Sequence, residues 1–149
     1  MATKEKKGRK FLKKSPERDY WVGFLAGDGC LSKHGNYHKV IVNLGSEDKE
    51  HLELYSEFCG GLNIRPTKSG TFNVEFSNKK VTPHFIQWGL TPKKSLTLKY
   101  NRTLNWNVLR GMFDADGTFG LYQYNNPLKQ VRCKYTTGSV QLAYQIKGF

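Results

Sequence analysis

Two nine-residue windows repeat each other in register, and they constrain the fold of this chain more than any other feature. Trp21-Val22-Gly23-Phe24-Leu25-Ala26-Gly27-Asp28-Gly29 and Leu109-Arg110-Gly111-Met112-Phe113-Asp114-Ala115-Asp116-Gly117 share Gly, Asp and Gly at their third, eighth and ninth positions. Both place apolar residues at the first, fourth and fifth. An internal repeat means that one supersecondary unit is used twice. Gly23 and Gly27 in one window, and Gly111 and Ala115 in the other, are four residues apart. That spacing puts small residues on one helical face and lets two backbones approach closely. Helices packed this way bring Asp28 and Asp116 together at their C-terminal ends, where unpaired carbonyls and the negative dipole end add to the field. Two such carboxylates repel each other unless a cation neutralises them. Hard oxygen donors in a partly hydrated site suit Mg²⁺ or another divalent cation. Water bound to such an ion is a nucleophile fit for phosphodiester hydrolysis.

The elements around each window repeat too. Ser15, Pro16, Glu17 and Asp19 read as the start of a helix that ends at Gly27-Asp28-Gly29. Alternation predicts a strand from Leu31 and another over 39–44, with Gly35-Asn36 between them. Ser46-Glu47-Asp48 reads as the cap of a helix closed by Gly60-Gly61, and strands are expected over 62–65 and 71–77 around Lys68-Ser69-Gly70. A helix near Thr82-Pro83 ends this first set. A second set opens with a helix from about Asn105 to Ala115, strands over 118–124 and 131–135, and a helix opened by Ser139. The expected class is α+β, with a helix-strand-strand-helix-strand-strand-helix unit over 15–100 and an incomplete second copy over 101–149. Residues 1–14, rich in Lys and Arg, read as a flexible basic arm.

Charge narrows the partner. Lys plus Arg is 24 against 12 acids, a net +12 at pH 7, which favours a polyanion, nucleic acid first. No apolar run approaches the roughly 20 residues a membrane helix needs, and no secretory signal opens the chain. Cys30, Cys59 and Cys133 are odd in number and scattered, which suits reduced thiols and a cytoplasmic location. A calcium loop at Asp114-Ala115-Asp116-Gly117 fails because its glycine is misplaced and Asn125 stands where a bidentate Glu is needed. Zinc at Cys30, His34 and His38 conflicts with a hairpin at Gly35-Asn36.

Both windows resemble the motif of the LAGLIDADG homing endonucleases, the second especially. Gly89-Leu90-Thr91-Pro92-Lys93-Lys94-Ser95 is similar to a segment that often precedes the second motif in two-motif members. The resemblance covers about residues 15–149. It implies a saddle of antiparallel strands on double-stranded DNA, a lobe interface made by the motif helices, and Mg²⁺-dependent site-specific cleavage. It carries metal binding to Asp28 and Asp116, assisted by the carbonyls of Gly27 and Ala115. Lys94, or its neighbour Lys93, becomes the basic residue beside the scissile phosphate, where it stabilises developing charge. Intron or phage association follows by analogy, and a second chain completing the saddle is one expectation for the shortened second copy. The rival reading is a DNA- or RNA-binding protein on the same scaffold that does not cleave, such as a splicing cofactor or a degenerate remnant.

Strand parity selects the side chains facing such a groove. Leu31, Val40, Val42 and Leu44 are expected in the core. Cys30, Ser32, His34, Tyr37, Lys39, Ile41 and Asn43 then face outward, with Asn63, Arg65, Lys68, Asn73, Glu75 and Ser77 as further DNA-binding candidates. The second copy adds Tyr122, Tyr124, Arg132 and Lys134. Arg and Asn suit bidentate base contacts, and the lysines suit phosphates.

Overall fold

The side chain of Ser15 accepts from the Arg18 N–H at 3.0 Å and Pro16 fills the first turn, so α1 (Pro16–Gly27) starts where its sequence predicts. The computed structural model describes residues 6–123 and 130–149. After α1 come β1 (Gly29–His34), β2 (Tyr37–Leu44), α2 (Lys49–Phe58), β3 (Arg65–Pro66), β4 (Phe72–Phe76) and α3 (Thr82–Gln87). A second helix-strand-strand-helix run follows: α4 (Trp106–Asp116), β5 (Gly117–Tyr122), β6 (Gln130–Tyr135) and α5 (Val140–Lys147). The class is α+β, with one antiparallel sheet ordered β1-β2-β4-β3 and a separate antiparallel β5-β6 ribbon. Among the described residues no helix is long and apolar enough to cross a membrane.

The contact between α1 and α4 has almost no side-chain spacer. A Cβ added to Gly23 would lie 1.9 Å from the Val108 carbonyl oxygen, and one added to Gly111 would lie 1.9 Å from that of Tyr20. One turn on, a Cβ on Gly27 would lie 2.5 Å from the Ala115 Cβ. Gly23, Gly27, Gly111 and Ala115 all stand in this contact. Asn105 fixes the other end of the pair. Its side-chain oxygen accepts from the N–H groups of Asn107 and Val108, while its amide donates to Asp19 at 2.9 Å.

Strand parity sorts the first sheet as its sequence implies. Leu31, Val40, Val42 and Leu44 are buried, whereas Cys30, His34, Tyr37 and Asn43 are exposed. The second ribbon has the same parity but a different environment. Gly29 pairs with Val42 and Leu31 with Val40, as Gly117 pairs with Tyr135 and Phe119 with Cys133. Leu31 is 5% exposed, while Phe119 is 66% exposed. In the first sheet β2 also pairs with β4, and among the described residues nothing pairs with the outer edge of β6.

Three expectations change. The basic N-terminus is not a free arm over residues 6–14. Arg9–Leu12 form a 3-10 turn, and Phe11 is fully buried edge-on to Phe58 and Phe85, with ring centroids 4.9 and 4.8 Å away. One aromatic ring outweighs the surrounding lysines because burying it removes a large apolar surface from water. The cap over Ser46-Glu47-Asp48 takes another form: Ser46–Asp48 make a 3-10 turn, and Asp48 holds the N-cap position of a helix that starts at Lys49, without a side-chain bond. The strand expected over 62–65 shrinks to Arg65–Pro66. Leu62 meets the Ser56 hydroxyl instead of a neighbouring strand, donating its N–H at 2.7 Å and accepting at 2.9 Å.

Two substitutions test this packing. Phe11→Ala is expected to cost about 3–5 kcal/mol in urea unfolding, whereas a free arm predicts no change. Gly23→Ala forces a methyl against a backbone carbonyl and is expected to cost about 1–3 kcal/mol or more.

Candidate metal centre and sheet face

α1 ends just before Asp28 and α4 ends at Asp116, and the missing Cβ of Gly27 lets the two ends converge. The same hypothetical Cβ would lie 2.7 Å from the Asp116 carboxylate, so Asp116 leans over the last turn of α1. Asp28, the residue after Gly27, is half-buried, and Asp116 is the more exposed. Burial, and then the charge of Asp116, push the Asp28 carboxyl up to about 6, with Lys94 opposing. Burial raises Asp116 too, again opposed by Lys94.

Lys94 completes the cluster. Lys93 adopts a left-handed conformation (φ 59°) that turns the chain into a 3-10 segment, Lys94–Leu96. Lys93 is left exposed, while Lys94 is buried and its ammonium donates to the Gly27 carbonyl at 3.1 Å. Burial lowers the Lys94 pKa, and Asp116, Cys30 and Asp28 pull it back up. Of the two adjacent lysines, Lys94 therefore shares the field of both aspartates. The bonded carbonyl keeps a second lone pair for another partner.

Sequence reasoning missed two features here. Tyr135 pairs with Gly117, and burial plus the charges of Asp116 and Asp28 raise its phenol. It therefore stands beside the carboxylate pair. Behind the centre, the Tyr20 hydroxyl donates to Asp114 at 2.8 Å and lies 3.1 Å from His51 Nε2. Asp114 occupies the sixth motif position, where the first window has Ala26. That asymmetry was the available signal. This carboxylate ties α4 to α1 and leaves the eighth-position pair to itself.

Among the described residues no group of three or more His, Cys, Asp or Glu could hold a metal. Cys30 and His34 share one sheet face while His38, paired with Lys33, lies on the other, so no zinc set forms. The predicted DNA-facing residues of the first sheet lie mostly in cross-strand rows on its open face. Ser32 pairs with Lys39 and His34 with Tyr37, and Asn43 pairs with Asn73, which pairs with Arg65. Ile41 separates Cys30 from Glu75. The Ser77 hydroxyl already donates to the His38 carbonyl at 2.9 Å. Asn63 and Lys68 are exposed but lie outside the strands. In the ribbon Arg132 lies 5.2 Å over the Tyr122 ring and Lys134 pairs with Thr118. Tyr124 lies outside the described residues.

No protein-family model matches the sequence. Solved structures do. A lysine-to-alanine mutant of I-SmaMI superposes with TM-score 0.55 at 14% identity, over 91% of this chain and 72% of that one. The LAGLIDADG meganuclease I-CpaMI bound to uncleaved DNA gives 0.53 at 12%, over 81% and 66%. I-AabMI, also bound to uncleaved DNA, gives 0.50 at 14%, over 80% and 65%. The chain spans less than two thirds of the length of the last two. It has the fold of the LAGLIDADG homing endonucleases.

The shared field has a cost that can be measured without metal. A carboxyl whose folded pKa exceeds its ordinary 3.8 is destabilising above about 6, and that penalty fades as pH falls toward 4. In metal-free protein Asp28→Asn is expected to raise stability by about 1 kcal/mol at pH 7, after discounting for solvent screening. The gain should vanish near pH 4. Equal or lower stability of the variant at pH 7 would contradict the raised Asp28 carboxyl, which burial and then the charge of Asp116 produce.

Proposed function

We infer that this chain is a site-specific double-strand DNA endonuclease that works with a divalent cation, Mg²⁺ for preference. The observation that carries this reading is the Gly27–Ala115 contact, which sets Asp28 and Asp116 in one field beside Lys94. Helix pairs need no such arrangement for stability, since it works against folding. The two carboxylates fit a hard cation because burial, and then the charge of Asp116, makes the Asp28 carboxylate costly without a neutralising partner. Gly27 and Ala115 would add carbonyl oxygens, and water or phosphate oxygens would complete the shell. Bound there, the ion supplies Lewis acidity and an activated water.

The chain's own groups do the rest. Lys94, held by the Gly27 carbonyl, neutralises charge that builds on the phosphate during cleavage. The open face of the first sheet, together with the net charge of +12, orients the duplex. Lysines meet phosphates while Asn43, Asn73 and Arg65 address base edges. I-CpaMI and I-AabMI, similar in fold, are bound to DNA in their structures. Binding without cleavage is the second reading. The net charge of +12 and the open face of the first sheet favour it, since neither needs a bound cation to hold a duplex.

Incubation with a duplex library in Mg²⁺ separates the two. Asp28→Asn and Asp116→Asn are expected to abolish cutting and to spare duplex binding, and Lys94→Ala to slow cutting about 10²–10³-fold. Normal cutting by both Asn variants would overturn the assigned centre. Affinity without cutting in any divalent cation would support the second reading. Log affinity should fall against log salt with a slope of about −0.9 per phosphate contact, and a flat response contradicts both readings.

A further inference from the structure

The six strands described contain a single acidic residue, Glu75. It sits in β4 between buried Val74 and Phe76, so its side chain is on the open face, opposite Ile41. Two cations hold it there. Lys39 Nζ donates to its two carboxylate oxygens at 3.1 and 3.3 Å, and Arg65 approaches to 4.0 Å. The side chains of Lys39 and Glu75 keep 27% and 32% of their exposure, Arg65 61%.

A carboxylate on this face opposes phosphate binding, so it has to meet donors. In the major groove only the exocyclic amines of cytosine and adenine donate, while guanine O6 and N7 and thymine O4 accept. The two cations beside Glu75 suit guanine O6 and N7. One C·G pair offers both halves of this pattern, an amine on one base and two acceptors on the other. We propose that Glu75, flanked by Lys39 and Arg65, is a specificity-determining residue that reads a C·G base pair and takes the cytosine amine. The inference rests on the duplex-DNA reading above. The free-state ion pairs pre-orient all three groups, and docking exchanges part of that network for base edges.

Site selection from a randomised duplex library tests it, using the full chain as wild type, Glu75→Gln and Glu75→Ala. Melting curves check that each variant folds. Wild type is expected to prefer cytosine at one position by about 5- to 150-fold, the range for a well-placed base contact. Glu75→Gln should lose that preference and move toward adenine, whose N6 and N7 suit a carboxamide. Glu75→Ala should weaken it without a new preference, because Lys39 and Arg65 still suit the paired guanine, and all other positions should stay as in wild type. If folded variants keep every wild-type base preference, or if the sensitive position is not cytosine, Glu75 is only a cross-strand ion-pair partner and the inference falls. If wild type selects no duplex, the DNA reading fails first and takes the inference with it.

Discussion

Backbone contact between α1 and α4 governs the rest of this molecule. Gly23 and Gly111 each sit against a carbonyl of the opposite helix, with no room for a methyl group. This approach fixes how close the C-terminal ends come, and therefore how strongly Asp28 feels Asp116. It also determines where β1 and β5 begin, because each strand leaves directly from the aspartate turn. The spacing of the helices thus sets both the electrostatics of the centre and the placement of the two sheets.

The centre is electrostatically uneconomical as a purely structural element. Burial and like charge raise Asp28, and burial lowers Lys94. Compensation comes from around it. Tyr20 binds Asp114, Asn105 binds Asp19, and the aromatic cluster of Phe11, Phe58 and Phe85 closes the core beneath the first sheet. A scaffold that spends stability on two crowded carboxylates is consistent with a binding or catalytic task at that point.

Much of this was legible locally. Ser15-Pro16 marks α1, Asn105 marks α4, and alternation in β2 separates Val40 and Val42 from Lys39 and Asn43. The helix contact itself was readable because the repeat displays its small residues at the same positions twice. What stayed hidden depends on partners distant in sequence. Phe11 looks like part of a solvated arm until Phe58 and Phe85 are in place. Leu62 reads as strand until the Ser56 hydroxyl satisfies its backbone. His51 joins the Tyr20–Asp114 link only through the packing of α2 beside the motif helices. The choice between Lys93 and Lys94 depended on a left-handed turn that no propensity for lysine predicts.

Direct titration of one carboxyl examines the shared field itself. By NMR, the Asp28 side chain in metal-free protein should titrate near 6, and replacing Asp116 with Asn should move it down toward, though not to, the ordinary 3.8, since burial remains. An Asp28 that titrates at its ordinary value, or one indifferent to the loss of Asp116, would mean that the two helix ends do not form one centre.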